Sequence, residues 1–81
     1  MVKVSFTRHA EDMLRERNFS KEEITSVIVD HDRKEDDELE TEIWYAFKRI
    51  GKKVLRVVIK GKEEPYTVIT MFYDKRMRNR I

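Results

Sequence analysis

The sequence predicts an α+β domain in which two N-terminal helices pack on one face of a mostly antiparallel sheet of about four strands, in the order β-α-α-β-β-β. Three observations carry this. Apolar residues recur every three to four positions between Ala10 and Ile28, and every second position between Ile43 and Tyr73. Between the first two apolar stripes, Ser20 and Glu23 have the spacing of a helix-starting capping box. A chain of 81 residues holds one domain and one modest core, because a protein this small buries only about 60% of the surface its unfolded form exposes.

Val2, Val4 and Phe6 alternate with polar residues, the period of a half-buried strand. Thr7 offers a side-chain oxygen to the free amides of a helix starting at Arg8. His9 with Met13, and Ala10 with Leu14, share its faces, and Asn18 supplies a left-handed stop. Phe19 and Ile24 occupy the staple positions around the Ser20 capping box, and Ile24, Val27 and Ile28 form the buried stripe of the second helix, which ends near Asp30 or His31. The polar run from Asp32 to Glu40 reads as a loop, part of it able to form an edge strand.

From Glu42 onward the period is two. Ile43, Tyr45 and Phe47 point one way and Trp44, Ala46 and Lys48 the other; after Gly51, Leu55, Val57 and Ile59 alternate with Arg56, Val58 and Lys60. Placing the two more apolar sets on one face requires pairing of like parity, hence an odd loop with Gly51 in a left-handed bulge position. Tyr66 to Tyr73 is apolar on both faces, as a central strand would be, and the N-terminal strand is its free neighbour.

Composition narrows the function classes. Cysteine is absent, so disulfides, thiolate metal sites and cysteine nucleophiles are excluded. Two histidines far apart, and an acidic run without the glycine of a calcium loop, point to no metal and no cofactor. No apolar run reaches the roughly 18 residues of a membrane span, and the N-terminus lacks a signal-peptide core; a soluble, cytoplasmic, unprocessed protein is expected. Charged residues make up 42% of the chain at a net charge of only +2, so their distribution matters more than their sum. Glu35, Asp36, Asp37, Glu38, Glu40 and Glu42 crowd the middle, whereas Lys75, Arg76, Arg78 and Arg80 crowd the C-terminal end, where a polyanion could bind.

If Leu55, Val57 and Ile59 face the helices, Arg56 and Lys60 lie on the open sheet face with Trp44 and Lys48. Cations beside exposed aromatics suit single-stranded nucleic acid, and the same cations also serve as ordinary solubility devices on a strand face. Lys48, Lys75, Arg78 and Arg80 are the candidate RNA contacts. Tyr73 and Arg76, at the end of the central strand, could exchange a proton and stabilise a pentavalent phosphate. His9, at a helix start, is expected neutral; it either ties that helix to the sheet or acts as a base.

Phe6-Thr7-Arg8-His9-Ala10, Arg15-Glu16-Arg17, Phe19-Ser20, Val54 to Ile59 and Val68-Ile69-Thr70 together resemble a family of small bacterial and archaeal proteins that are themselves similar to the RelE/ParE toxin superfamily, with the BrnT ribonuclease toxins among the nearer relatives. The resemblance implies a RelE-like fold over nearly the whole chain and a metal-independent endoribonuclease acting on messenger RNA at the ribosome, restrained by an antitoxin protein. It further implies Arg56, Lys60, Tyr73 and Arg76 as catalytic, with His9 belonging to the motif. A non-catalytic module binding protein or nucleic acid through the same fold is the alternative.

Overall fold

The computed structural model describes residues 2–81. Its elements are β1 (Val4–Phe6), α1 (Arg8–Arg17), α2 (Lys21–Val29), β2 (Arg33–Asp36), β3 (Ile43–Ile50), β4 (Lys53–Lys60) and β5 (Tyr66–Tyr73), followed by a 3-10 turn over Lys75–Met77. The strands form one sheet in the order β1-β5-β4-β3-β2, with β1 parallel to β5 and every other pair antiparallel. β5 is therefore central, as its two apolar faces require.

The sheet has five strands where about four were expected. The added strand is Arg33–Asp36, at the start of the polar run, paired with Trp44–Phe47 of β3. Its side chains are all charged, which blunts the exposed edge against pairing with other chains and hides it from a search for apolar periodicity.

Both helices start and stop as their residues dictate. Thr7 Oγ1 accepts from the amide of Ala10 at 3.1 Å, and Asn18 takes φ +60 as its amide closes back on α1. At α2 the Ser20 hydroxyl accepts from the Glu23 amide at 3.0 Å while the Glu23 carboxylate accepts from the Ser20 amide at 2.9 Å. α1 delivers Ala10 and Leu14, and α2 delivers Ile24, Val27 and Ile28, onto Trp44, Ala46, Leu55, Val57, Ile59, Val68 and Met71 of the sheet.

The β3–β4 hairpin corrects the expected register. Trp44 pairs with Ile59, Ala46 with Val57 and Lys48 with Leu55, so residues of opposite parity share a face. The loop between Ile50 and Lys53 has two residues, with Gly51 at φ +62 in its first position, as a type II′ turn requires. Trp44 and Lys48 consequently lie on the helix side, and Trp44 is buried there, its indole N–H donating to Gly61 O at 2.7 Å. Like-parity pairing would follow if only one face were buried. Here the second face is buried too at one end: Phe47, Val54 and Met77 form a small core beneath the 3-10 turn, with Tyr45 and Ile81 against it.

A bulge opposite Val58 and Ile59 resolves the ambiguity of β5. Arg56 pairs with Phe72 and Val57 with Met71, but Ile59 pairs with Val68, so Ile69 is the extra residue. Tyr66, Val68, Met71 and Tyr73 thereby join the helix-side core, in place of the strict alternation that grouped Tyr66 and Val68 with Phe72. β1 stops at Phe6, and the following residues continue along the β5 edge: the Thr7 hydroxyl donates to Ile69 O at 3.1 Å and His9 Nε2 lies 3.1 Å from Thr70 Oγ1.

Candidate nucleic-acid interface

Three chain segments end at the same corner of the sheet. α1 terminates at Arg17, the tight hairpin turn delivers Lys52 and Lys53 at the start of β4, and β5 finishes at Tyr73, after which the 3-10 turn carries Lys75 and Arg78. Between them lies a cleft of about 610 Å3 lined by Arg17, Lys52, Lys53, Val54, Tyr73, Asp74, Lys75 and Arg78. Tyr73 forms an aromatic wall: its ring meets Phe19 at 5.8 Å between centroids, and Lys53 Nζ sits 4.8 Å from its centre.

Asp74 is the carboxylate that lines the cleft, and it is turned inward. It is 5% exposed, lies 2.7 Å from Arg56 Nη2 and accepts from the Arg76 amide at 2.9 Å, capping the 3-10 turn. Among the described residues, no carboxylate forms an ion pair with Arg17, Lys52, Lys53, Lys75 or Arg78. Like charges gathered without counter-charges repel one another, a cost relieved when a polyanion binds.

A family model described as a domain of unknown function, DUF4258, matches residues 6–73. The chain belongs to this family. No curated protein matches the chain, and no solved structure does. Within the DUF4258 match lie Arg17, Lys52, Lys53 and Tyr73, whereas Lys75 and Arg78 follow it.

The expected site residues of this DUF4258 domain are distributed, not gathered. Tyr73, Lys75 and Arg78 line the cleft, whereas Arg76 is not among its lining residues; its side chain is 85% exposed on the adjoining turn, with Nε 3.7 Å from Asp74. Arg80 is exposed beyond the turn. Arg56 lies on the other face of the sheet, where its guanidinium is held by Asp74 and stacked on Tyr45, Phe47 and Phe72 at 4.9, 4.9 and 5.6 Å. Lys60 is four residues further along β4, roughly 13 Å away at strand rise. Lys48 faces the helix side and pairs with Asp30 and Asp32, each at 3.6 Å, so it is not an open-face RNA contact. His9 stands at the opposite end of α1 from Arg17, about 12 Å along the helix axis. Arg17, Lys52 and Lys53 are the cleft residues that sequence reasoning missed. Their signal was positional: a helix terminus and a hairpin turn meet the end of the central strand.

Away from the cleft, the acidic run of the DUF4258 domain is wired into the sheet. The Tyr45 hydroxyl donates to Asp37, and with the amides of Glu40 and Leu39 it lowers the Asp37 pKa; the same bond raises that of Tyr45. The Arg49 amide, followed by Lys48 against an opposing effect of burial, lowers that of Asp32, and Lys62 lowers that of Asp36. Depressed carboxylates stabilise the fold above their unfolded pKa, and that contribution is lost as pH falls through the folded values; a raised tyrosine loses its contribution as pH rises through its own. Urea denaturation should therefore give declining stability on acidification below about pH 4, with a shallower decline in Asp37→Asn. Equal slopes for the two proteins would remove Asp37 from this linkage.

Proposed function

We propose that this DUF4258 domain binds single-stranded RNA in the cleft around Tyr73. The observation that carries the proposal is the set of cations, without carboxylate partners among the described residues, arranged around one aromatic ring. Phosphates would take the charges of Lys52, Lys53, Lys75, Arg78 and Arg17, while a base stacks against the Tyr73 wall. Such a protein works in the cytoplasm on RNA, free or at the ribosome, and needs no cofactor.

The second reading is a toxin-like, metal-independent endoribonuclease with a RelE-like arrangement, held in check by an antitoxin. The position of Tyr73 among cleft cations, with the exposed Arg76 on the adjoining turn, favours it: as the 2′-oxygen attacks phosphorus and releases its proton to water, the phenol would give its proton to the departing 5′-oxygen while the P–O5′ bond breaks, and arginine would stabilise the phosphorane. Arg56, neutralised by Asp74, and the distant Lys60 and His9 take no part at this cleft. The non-catalytic reading is preferred because proton transfer needs groups within about 3 Å of one phosphate, and only Tyr73 among these residues is placed to act as acid or base there.

Fluorescence anisotropy with a labelled single-stranded RNA, followed by primer extension on messenger recovered from a translation extract, separates the two. Binding with intact message supports the module. Cuts that vanish in the double variant Tyr73→Phe/Arg76→Ala support the ribonuclease. Absence of both binding and cleavage by folded protein would overturn the RNA assignment.

A further inference from the structure

α2 buries Ile24, Val27 and Ile28 against the sheet, and Val29 stands outside that stripe, 61% exposed. α1 packs on β5 and α2 on β3 and β4, which leaves Val4 and Phe6 of β1 only half-buried. Between α2 and β1 runs a groove of about 660 Å3, its middle lined by Val4, Phe6, Thr25 and Val29, with Lys21 at one end and Asp30 at the other. It shares no residue with the basic cleft.

We propose that this groove receives α2 of a second copy of the chain, antiparallel to the first across a two-fold axis at Thr25. Lys21, Thr25 and Val29 are spaced four apart and form one stripe facing the groove. In the two-fold pairing Thr25 meets itself, Val29 meets Lys21 of the partner subunit, and that ammonium reaches Asp30. Every contact away from the axis is thus made twice, as an isologous interface requires. Short side chains at Thr25 and Ser26 let two helices approach to the usual 8–10 Å.

Charge favours this occupant. Lys21 opens α2 and Asp30 is its C-cap, with no basic residue in the last turn, so both oppose the dipole of their own helix. An antiparallel neighbour presents the opposite pole to each. Lys21 already pairs with Glu11 at 3.0 Å and Asp30 with Lys48 at 3.6 Å, yet the side chains remain 55% and 85% exposed and free to take a second partner. Glu22, exposed at the Lys21 end, already sits at the positive pole of its own helix. An anionic membrane would require cations along the rim, where Lys21 stands against Glu22 and Asp30.

The chain contains no cysteine, which permits a clean test. Thr25→Cys should cross-link to itself under mild oxidation, and Glu38→Cys, in the acidic loop, should not. Sedimentation equilibrium should show a wild-type dimer whose dissociation constant rises at least about tenfold in Val29→Glu, with circular dichroism unchanged. Should Val29→Glu fail to fold, the exposed Ser26→Arg serves the same purpose. Lys21→Glu and Asp30→Lys should each weaken the dimer, and the two combined in one chain should restore it. A wild-type protein that stays monomeric at about 100 μM, a dimer indifferent to both groove variants, or equal cross-linking from positions 25 and 38 would overturn the proposal.

Discussion

Asp74→Ala should cost about 3 kcal/mol of folding stability and lower the melting temperature by roughly 15 °C. The carboxylate is 5% exposed and neutralises Arg56, whose side chain is 19% exposed and enclosed by the rings of Tyr45, Phe47 and Phe72. Removing it leaves a cation with little water and no counter-charge; Arg56 Nε already lacks a hydrogen-bond partner among the described residues. Alanine also deletes the cap on the Arg76 amide, which anchors the 3-10 turn that holds Met77 over Phe47 and Val54. Domains of this size have only about 4 to 12 kcal/mol in total, so the loss takes a large share. Urea denaturation of Asp74→Ala and of Asp74→Ala/Arg56→Met provides the check. The second substitution removes the stranded charge and should recover much of the loss; a deficit below about 1 kcal/mol in the single variant would mean that solvent already screens the pair.

Local signals were read correctly where one residue decides one bond: Thr7, Asn18 and the Ser20–Glu23 box all act where the sequence placed them. Strand pairing was harder because alternation states which residues share a face and leaves open which face is covered. Alternation groups Tyr45 and Phe47 with the helix side, yet Phe47 is buried with Val54 against Met77, and Tyr45 half-buried beside them, by a turn with no apolar periodicity of its own. Once that second core exists, opposite-parity pairing satisfies both faces, and Trp44 with Lys48 moves under the helices. The single-residue bulge in β5 has no signature in a run apolar on both sides. The same limit governed the site: Lys75 and Arg78 were visible as a charge cluster, but Arg17, Lys52 and Lys53 join them only through tertiary topology.

Neutralising Lys52, Lys53 and Arg78 to glutamine should reduce both the affinity for single-stranded RNA and its dependence on salt. If Arg17, Lys52, Lys53, Lys75 and Arg78 each contact a phosphate, the logarithm of the binding constant falls with that of salt at a slope of about −3.5, and the triple variant retains about −1.4. Between 50 and 200 mM salt the wild-type protein then weakens about a hundredfold and the variant less than about tenfold. Folding should be unaffected, because these side chains are exposed and hold no ion pairs among the described residues. Tyr73→Leu provides the complementary measurement. It keeps an apolar contact for Phe19 but removes the stacking surface, so affinity should fall by roughly tenfold or more at every salt concentration with the slope preserved. Loss of affinity with an unchanged slope in the triple variant would show that those cations do not meet phosphate, and the RNA path would have to lie outside the cleft.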